Sequence, residues 1–592
     1  MNFQALVSVS LIFSLLGLFE LVKSTNPSCA SPPKSEYVLD HEFEINARAS
    51  LRRYELVITN TTAGPDGFWR TVLAINNQIP GPLIEANEGD SLEITVINHL
   101  DSPVTIHWHG LYQNGTNWED GVTGVTQCPI PGSGGMYIYK FTLTGHAHHQ
   151  NLMADGISGP LIIHSPRDPL KRGIDFDEDI VLMLTDWYHN TSSQIVEHML
   201  SEPGYFHTPA APSPNSALVN GVGEWDCRWA TTTQRCEKTS PPEFRVLAGH
   251  RVRFRLVNAG AHAMFYWSAD EHTLNVTEAD STAVYGPSDI HRIKFHNGQR
   301  YSVIVKIDSK EAGSSFYLRG TMDSDCWAWV AGDLQRTALA IVRVVESRLD
   351  SPRKGTRPTT KDWSDQLDGV CQDLDPNLLS PILPVNVPRT VAGSRTLANA
   401  FGFEVISTGA FIPRGGNSSN ISPASPAQAR IRRQIEVGKS EKRPALGTST
   451  VPPPFTRIGG PPPTPAGARG LFYVDNPVTW KTFPYQPILH DLTPGGTGFI
   501  DSTRVANVVY PSADWYDLIL VNLDPALSHP YHLHAMDMHL VAFGKGLPPN
   551  VENLRNLTYR IENPLRRDTV VIEPASFAIV RILTDIPGIW IM

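Results

Sequence analysis

Nine of the 21 histidines in this 592-residue sequence fall in three short windows, residues 107 to 109, 146 to 149 and 529 to 539. In an extended strand the side chains alternate between faces. His107-Trp108-His109 therefore predicts two imidazoles on one face, and His146-Ala147-His148 predicts a second such pair. The third window, His529-Pro530-Tyr531-His532-Leu533-His534, repeats the pair at His532 and His534, and its odd offset can send His529 to a different site. Imidazole ligands with neither an adjacent carboxylate nor a Cys-x-x-Cys spacing suit copper or zinc and argue against magnesium or calcium. A zinc hydrolase is the weaker reading, because nothing in these segments supplies the general base that catalytic zinc sites usually carry.

The elements that must position these histidines are repeated strands. Gly89 to Asn98 alternates, with Leu92, Ile94 and Val96 on one face. The same period, closing on Val-Asn or Ile-Asn, recurs in Gly249 to Asn258 and in Ala513 to Asn522. The repeats predict three related β domains, and Pro/Gly punctuation between short strands points to Greek-key β-sandwiches, an all-β fold. The second interval, 264 residues against 160, makes room for extra sequence. Residues 415–470, rich in Ser, Pro, Gly and Ala, read as a disordered insertion in a surface loop. The expected organisation is a leader over 1–25, domains over 36–168 and 178–346, a linker over 347–384, and a third domain over 385–592 that contains the insertion.

Composition bounds the partners and the compartment. With 59 acidic and 49 basic residues the net charge is -10, which argues against nucleic acid. Charged residues make up only 18% of the chain, while 45 Gly and 48 Pro favour strands joined by turns over a helical bundle. The apolar run from Phe3 to Val22, followed by Lys23-Ser24-Thr25, reads as a secretory signal peptide, which leaves a soluble extracellular chain with no stable membrane insertion. Six cysteines without Cys-x-x-Cys spacing suit disulfides, with Cys227 and Cys236 a plausible local pair, and seven Asn-x-Ser/Thr sequons point to a glycoprotein.

Longer motifs carry a resemblance. Thr105-Ile106-His107-Trp108-His109-Gly110, Asn117-Trp118-Glu119-Asp120-Gly121-Val122, His529 to His534 and Asn563-Pro564-Leu565-Arg566-Arg567-Asp568-Thr569 together resemble multicopper oxidases, most of all laccases of filamentous fungi. The resemblance runs from about Glu36 to the last residue and implies three cupredoxin domains. It implies an oxidase that takes electrons one at a time from phenols or related small-molecule donors and reduces dioxygen to water. By the same resemblance His107 and His532 match the two type 2 copper ligands, His109, His146, His148 and His534 match four of six type 3 ligands, and His529 matches one type 1 ligand. It also implies a Cys326–Cys371 disulfide and an unpaired Cys128. Ascorbate, ferrous iron and pigment precursors are alternative donors within the family.

The sequence departs from the family in two places. Phe141 to Gly145 runs straight into His146, where the family has an aromatic-rich WYHSH motif. At the other end, Asp585 to Met592 stops where the family continues into HCHIxxH. On the family pattern this chain supplies seven of eleven ligands, so the expectation is that these 592 residues alone lack the blue copper–thiolate absorption and do not turn over. A truncated oxidase and a secreted non-catalytic copper-binding relative both fit that expectation.

Overall fold

The computed structural model describes residues 47–144, 154–200, 211–327, 329–350, 356–365, 371–399, 402–405, 469–472, 487–492, 510–522, 527–546 and 557–591, with a few single positions beside these. The leader, His146, His148 and the insertion up to residue 468 lie outside the described residues. Strands dominate, and the described α-helices are the short Ser192–Leu200 and Ile488–Leu492.

The three repeated segments are interior strands of three sheets. Ser91–Asn98 lies between Leu51–Ala63, which is parallel to it, and Gly135–Thr142, which is antiparallel. Arg251–Asn258 lies in the same way between Glu178–Trp187 and Arg300–Lys306. Trp515–Asn522 lies between Gly393–Asn399 and Ser576–Leu583. In each case the upstream neighbour is parallel and the downstream neighbour antiparallel, so the sequence repeat is also a topological one.

The alternation buries one face of each strand. Leu92, Ile94 and Val96 pack with Ile58, Trp108, Tyr139 and Phe141 in the first core. Val252, Phe254 and Leu256 pack with Trp267, Phe295 and Phe316 in the second, where a seven-stranded and a five-stranded sheet share one cluster. Leu518 and Leu520 pack with Tyr531, Leu540 and Val580 in the third. The second strand buries its other face too: Arg253 and Arg255 both pair with the buried Asp179, which neutralises a face that would otherwise need solvent.

The closing asparagine of each repeat explains why the repeat closes on that residue. Asn98 Nδ2 donates to the carbonyls of Ser102 and Ile130, while Oδ1 accepts from Leu100 N–H at 3.0 Å. Asn258 makes the same set with Ala263, Phe295 and Gly260, and Asn522 with Leu527, Ile572 and Asp524. All three are fully buried. The amide satisfies backbone groups where the chain leaves the sheet, and no other small side chain offers both donors and an acceptor.

Among the described residues two disulfides are present, Cys227–Cys236 and Cys326–Cys371, and Cys128 is unbridged. The second bridge ties the second core to the segment leading into the third. Among the described residues no helix is long and apolar enough to cross a membrane. Of the sequons, Asn60, Asn114, Asn190 and Asn275 are exposed.

Candidate metal centre between the first and third domains

His107 and His109 do not sit on a laddered strand as the alternation predicts. Residues 105–108 are irregular and His109 begins a turn, closed by Leu111 N–H donating to Trp108 O. The alternation of faces survives because Trp108 is a wedge. Its ring is buried against Tyr139 and Phe141, with centroids 5.3 Å away in both contacts, so the imidazoles on either side of it point the other way. On the opposite wall His532 ends the strand His529–His532 and His534 opens the turn after it. That strand is held antiparallel to Thr569–Ile572.

The two walls meet as two stacked pairs. His107 lies on His534 with centroids 3.9 Å apart and planes at 24°, and His109 lies on His532 at 3.8 Å and 11°. Each pair takes one ring from the first domain and one from the third.

Hydrogen bonding fixes which nitrogens remain for a metal. His107 Nδ1–H donates to Asp120 O at 2.8 Å, and His532 Nδ1–H donates to Asp568 O at 2.9 Å. In both rings Nε2 is buried with no hydrogen-bond partner among the described residues. Leaving a buried ring nitrogen unsatisfied costs about 1–3 kcal/mol, which a metal would recover. One ligand atom from each of His107, His109 and His532 falls within 4.8 Å of the others. The donor set is all imidazole, which fits copper.

A second group, His107, Asp120 and His534, is also close enough to suggest an ion. Its geometry is that of an orienting carboxylate. Asp120 Oδ2 accepts from His534 Nδ1–H at 2.8 Å, and Oδ1 lies 3.4 Å from His107 Nδ1. Burial pushes the Asp120 carboxyl up, but its contacts with His107 and His534 outweigh that and hold it below the usual carboxylate range. Burial drives His534 down to about 3 and His109 well below the usual imidazole range, so both stay neutral and able to ligate.

Asp120 reaches the rings because Gly121 lets its loop touch the opposite chain. Gly121 has φ +80°, and a Cβ there would lie 1.7 Å from Ile106 O. The metal chemistry alone does not single out Asp120 or Asp568, although both lie within the segments that carry the family resemblance.

His529 stands apart from this cluster. Its strand offset from His532 is odd, and Nε2 bonds to Asp524 at 3.2 Å. The preceding Ser528 donates to Cys371 O, and Cys371 is bridged to Cys326 of the second core, which places His529 toward the second domain. His539 is buried under Trp515 with Nδ1 bonded to Arg581 O, a structural role.

Comparison with known proteins assigns the family. Profiles described as multicopper oxidase match residues 57–168, 178–335 and 464–592. The Laccase-2 of Cryptococcus neoformans var. grubii is 35% identical, covering 98% of this chain and 90% of that protein. The chain belongs to the multicopper oxidase family. This oxidase is also 29% identical to the dihydrogeodin oxidase of Aspergillus terreus, over 92% of the chain and 80% of the relative. Its fold is that of the laccase from Botrytis aclada, with a TM-score of 0.69 at 24% identity, covering 95% of this chain and 88% of that one. The oxidase is thus a laccase-like oxidoreductase with copper as cofactor and three cupredoxin-like β domains.

Proposed function

We propose that the cluster between the first and third domains is the dioxygen-reducing centre, with His107 and His532 holding one copper through Nε2. His109 and His534, together with His146 and His148, serve the neighbouring copper pair, and His529 serves a separate mononuclear centre that takes electrons from a small phenolic donor. The observation that carries this reading is the pair of buried Nε2 atoms, one from each domain, whose Nδ1 partners fix the tautomer that leaves both lone pairs available. Copper, when bound, cycles between two oxidation states and so passes single electrons from donor to dioxygen.

The protein's own part is to orient and to shield. Asp568 O and Asp120 O hold the two rings, the Asp120 carboxylate turns His534, and Trp108 with the stacked rings keeps bulk water away. We further propose secretion, for which the apolar leader and the exposed sequons are the support.

Electron paramagnetic resonance of the copper-loaded protein tests the assignment. His107→Ala and His532→Ala should each lose the mononuclear signal of the cluster, and an unchanged signal in both overturns it. Phenols, ascorbate and ferrous iron offered separately to a version of the chain extended through HCHIxxH, with an oxygen electrode, rank the donors, and faster uptake with ferrous iron would replace the phenolic reading.

A further inference from the structure

The candidate ligands come from the first and third domains, yet a side chain of the second reaches them. Arg300 opens the strand Arg300–Lys306, and its side chain is 2% exposed. Its Nη1 donates to Asp568 Oδ1 at 2.6 Å and to Gly298 O at 3.0 Å, and Nη2 closes the fork on Asp568 Oδ2. The same Nη1 lies 3.0 Å from His109 Nε2. Gly298, with φ +81°, turns the chain beneath the ring of His109.

Counting hydrogens decides what this contact does. Nη1 carries two, and Asp568 and Gly298 accept both. A bare lone pair on His109 Nε2, 3.0 Å from Nη1, would therefore have only a share of a hydrogen already given to Asp568 or Gly298. A proton on Nε2 instead has an acceptor in Asp568 Oδ1 at 3.3 Å. In the neutral ring that tautomer leaves the lone pair on Nδ1.

We propose that Arg300 is a positioning residue of the copper centre: anchored in the second domain, it locks the Asp568 carboxylate and through it the tautomer and orientation of His109. The inference rests on the reading of His109 as a copper ligand. It makes metal loading between the first and third domains depend on a cation from the second. The bidentate fork is specific to a guanidinium, since the single nitrogen of an ammonium cannot make two parallel N–H···O bonds to Asp568.

Arg567 supplies the control. It is equally buried beside the same network, but its hydrogen bonds go to Asp280 and to Tyr301 Oη at 2.7 Å. The experiment uses the full chain and compares Arg300→Gln, Arg300→Lys and Arg567→Gln. It measures Cu(II) affinity by chelator competition, the resonance spectrum of bound Cu(II), and thermal unfolding of the metal-free proteins. Both Arg300 variants should bind Cu(II) about 10- to 100-fold more weakly, with a shifted hyperfine pattern. Arg567→Gln should lose comparable thermal stability while keeping the affinity and spectrum of the parent.

If Arg300→Gln does not fold, Arg300→Lys, which keeps the charge, decides alone. Parental affinity and spectrum in Arg300→Lys, or equal loss in Arg567→Gln, overturns the proposal. The parent and His107→Ala proteins run alongside. Failure of the parent to bind Cu(II), or full binding by His107→Ala, would overturn the reading of the site itself and the role of Arg300 with it.

Discussion

His534 and His107, 427 positions apart in sequence, share one carboxylate: Asp120 Oδ2 accepts a hydrogen bond from His534 Nδ1–H at 2.8 Å while its other oxygen lies 3.4 Å from His107 Nδ1. The stacked rings and the carboxylate beneath them form one unit across a domain interface. Neither domain can hold its half of the cluster in this geometry without the other.

Asp120→Asn keeps the shape and removes the charge. An amide can present either oxygen or nitrogen to His534, so the ring is no longer held in one tautomer. Copper affinity should fall about 10- to 100-fold with little change in the melting temperature of the metal-free protein. Metal analysis after dialysis against graded chelator measures this.

Gly121→Ala should be among the most damaging small substitutions in the chain. The added methyl meets the Ile106 carbonyl and the backbone is left-handed, so the loop must withdraw and take Asp120 with it. A loss of about 1–3 kcal/mol of stability is expected, together with weaker copper binding. Denaturant unfolding and copper titration should move together.

Removing either of two other histidines should separate folding from metal binding. His539→Ala should lower the melting temperature, because a buried ring bonded to Arg581 O is lost, while copper content stays at the parental value. His149, which matches no ligand in the family resemblance, should when changed to Ala alter copper content less than His146→Ala or His148→Ala does. Metal content and calorimetry on the same preparations distinguish these outcomes.

Glu119 gives a pH dependence of known sign. Burial pushes its carboxyl up to about 7 from an ordinary value of 4.5, and Tyr137 donates to it at 3.3 Å. Between these pH values the native state holds a proton that the unfolded chain has released. This contribution to stability therefore falls as pH rises from about 4.5 to 7 and is level above that. Glu119→Gln removes the slope. Melting curves at pH 5 and pH 8 should show the variant gaining on the parent at the higher pH.

The three-fold architecture was legible because its signal is local: a period-two strand that closes on asparagine is written within ten residues, three times. The pairs His107/His109 and His532/His534 were legible for the same reason, although Trp108 packing, and no strand ladder, is what turns His107 and His109 to one side. Arg300 was not legible. Nothing around it marks metal chemistry, and its significance arises only when the second domain packs against Asp568, which is 268 positions away. Asp120 lies within a motif of the resemblance, but its role was not legible there, because it rests on a contact with the far end of the chain.

The three asparagine corners make the molecule its own control. Asn98→Asp, Asn258→Asp and Asn522→Asp are the same chemical change in the same local geometry, each removing the two N–H donors to backbone carbonyls. What differs between them is only which sheet is loosened. Because two of the corners hold loops that lead to the copper histidines and the third does not, melting the three variants with and without Cu(II) would show how far the ion binds the three domains into one cooperative unit. Equal gains from metal in all three would mean that a single bound cluster sets the unfolding temperature of the whole chain.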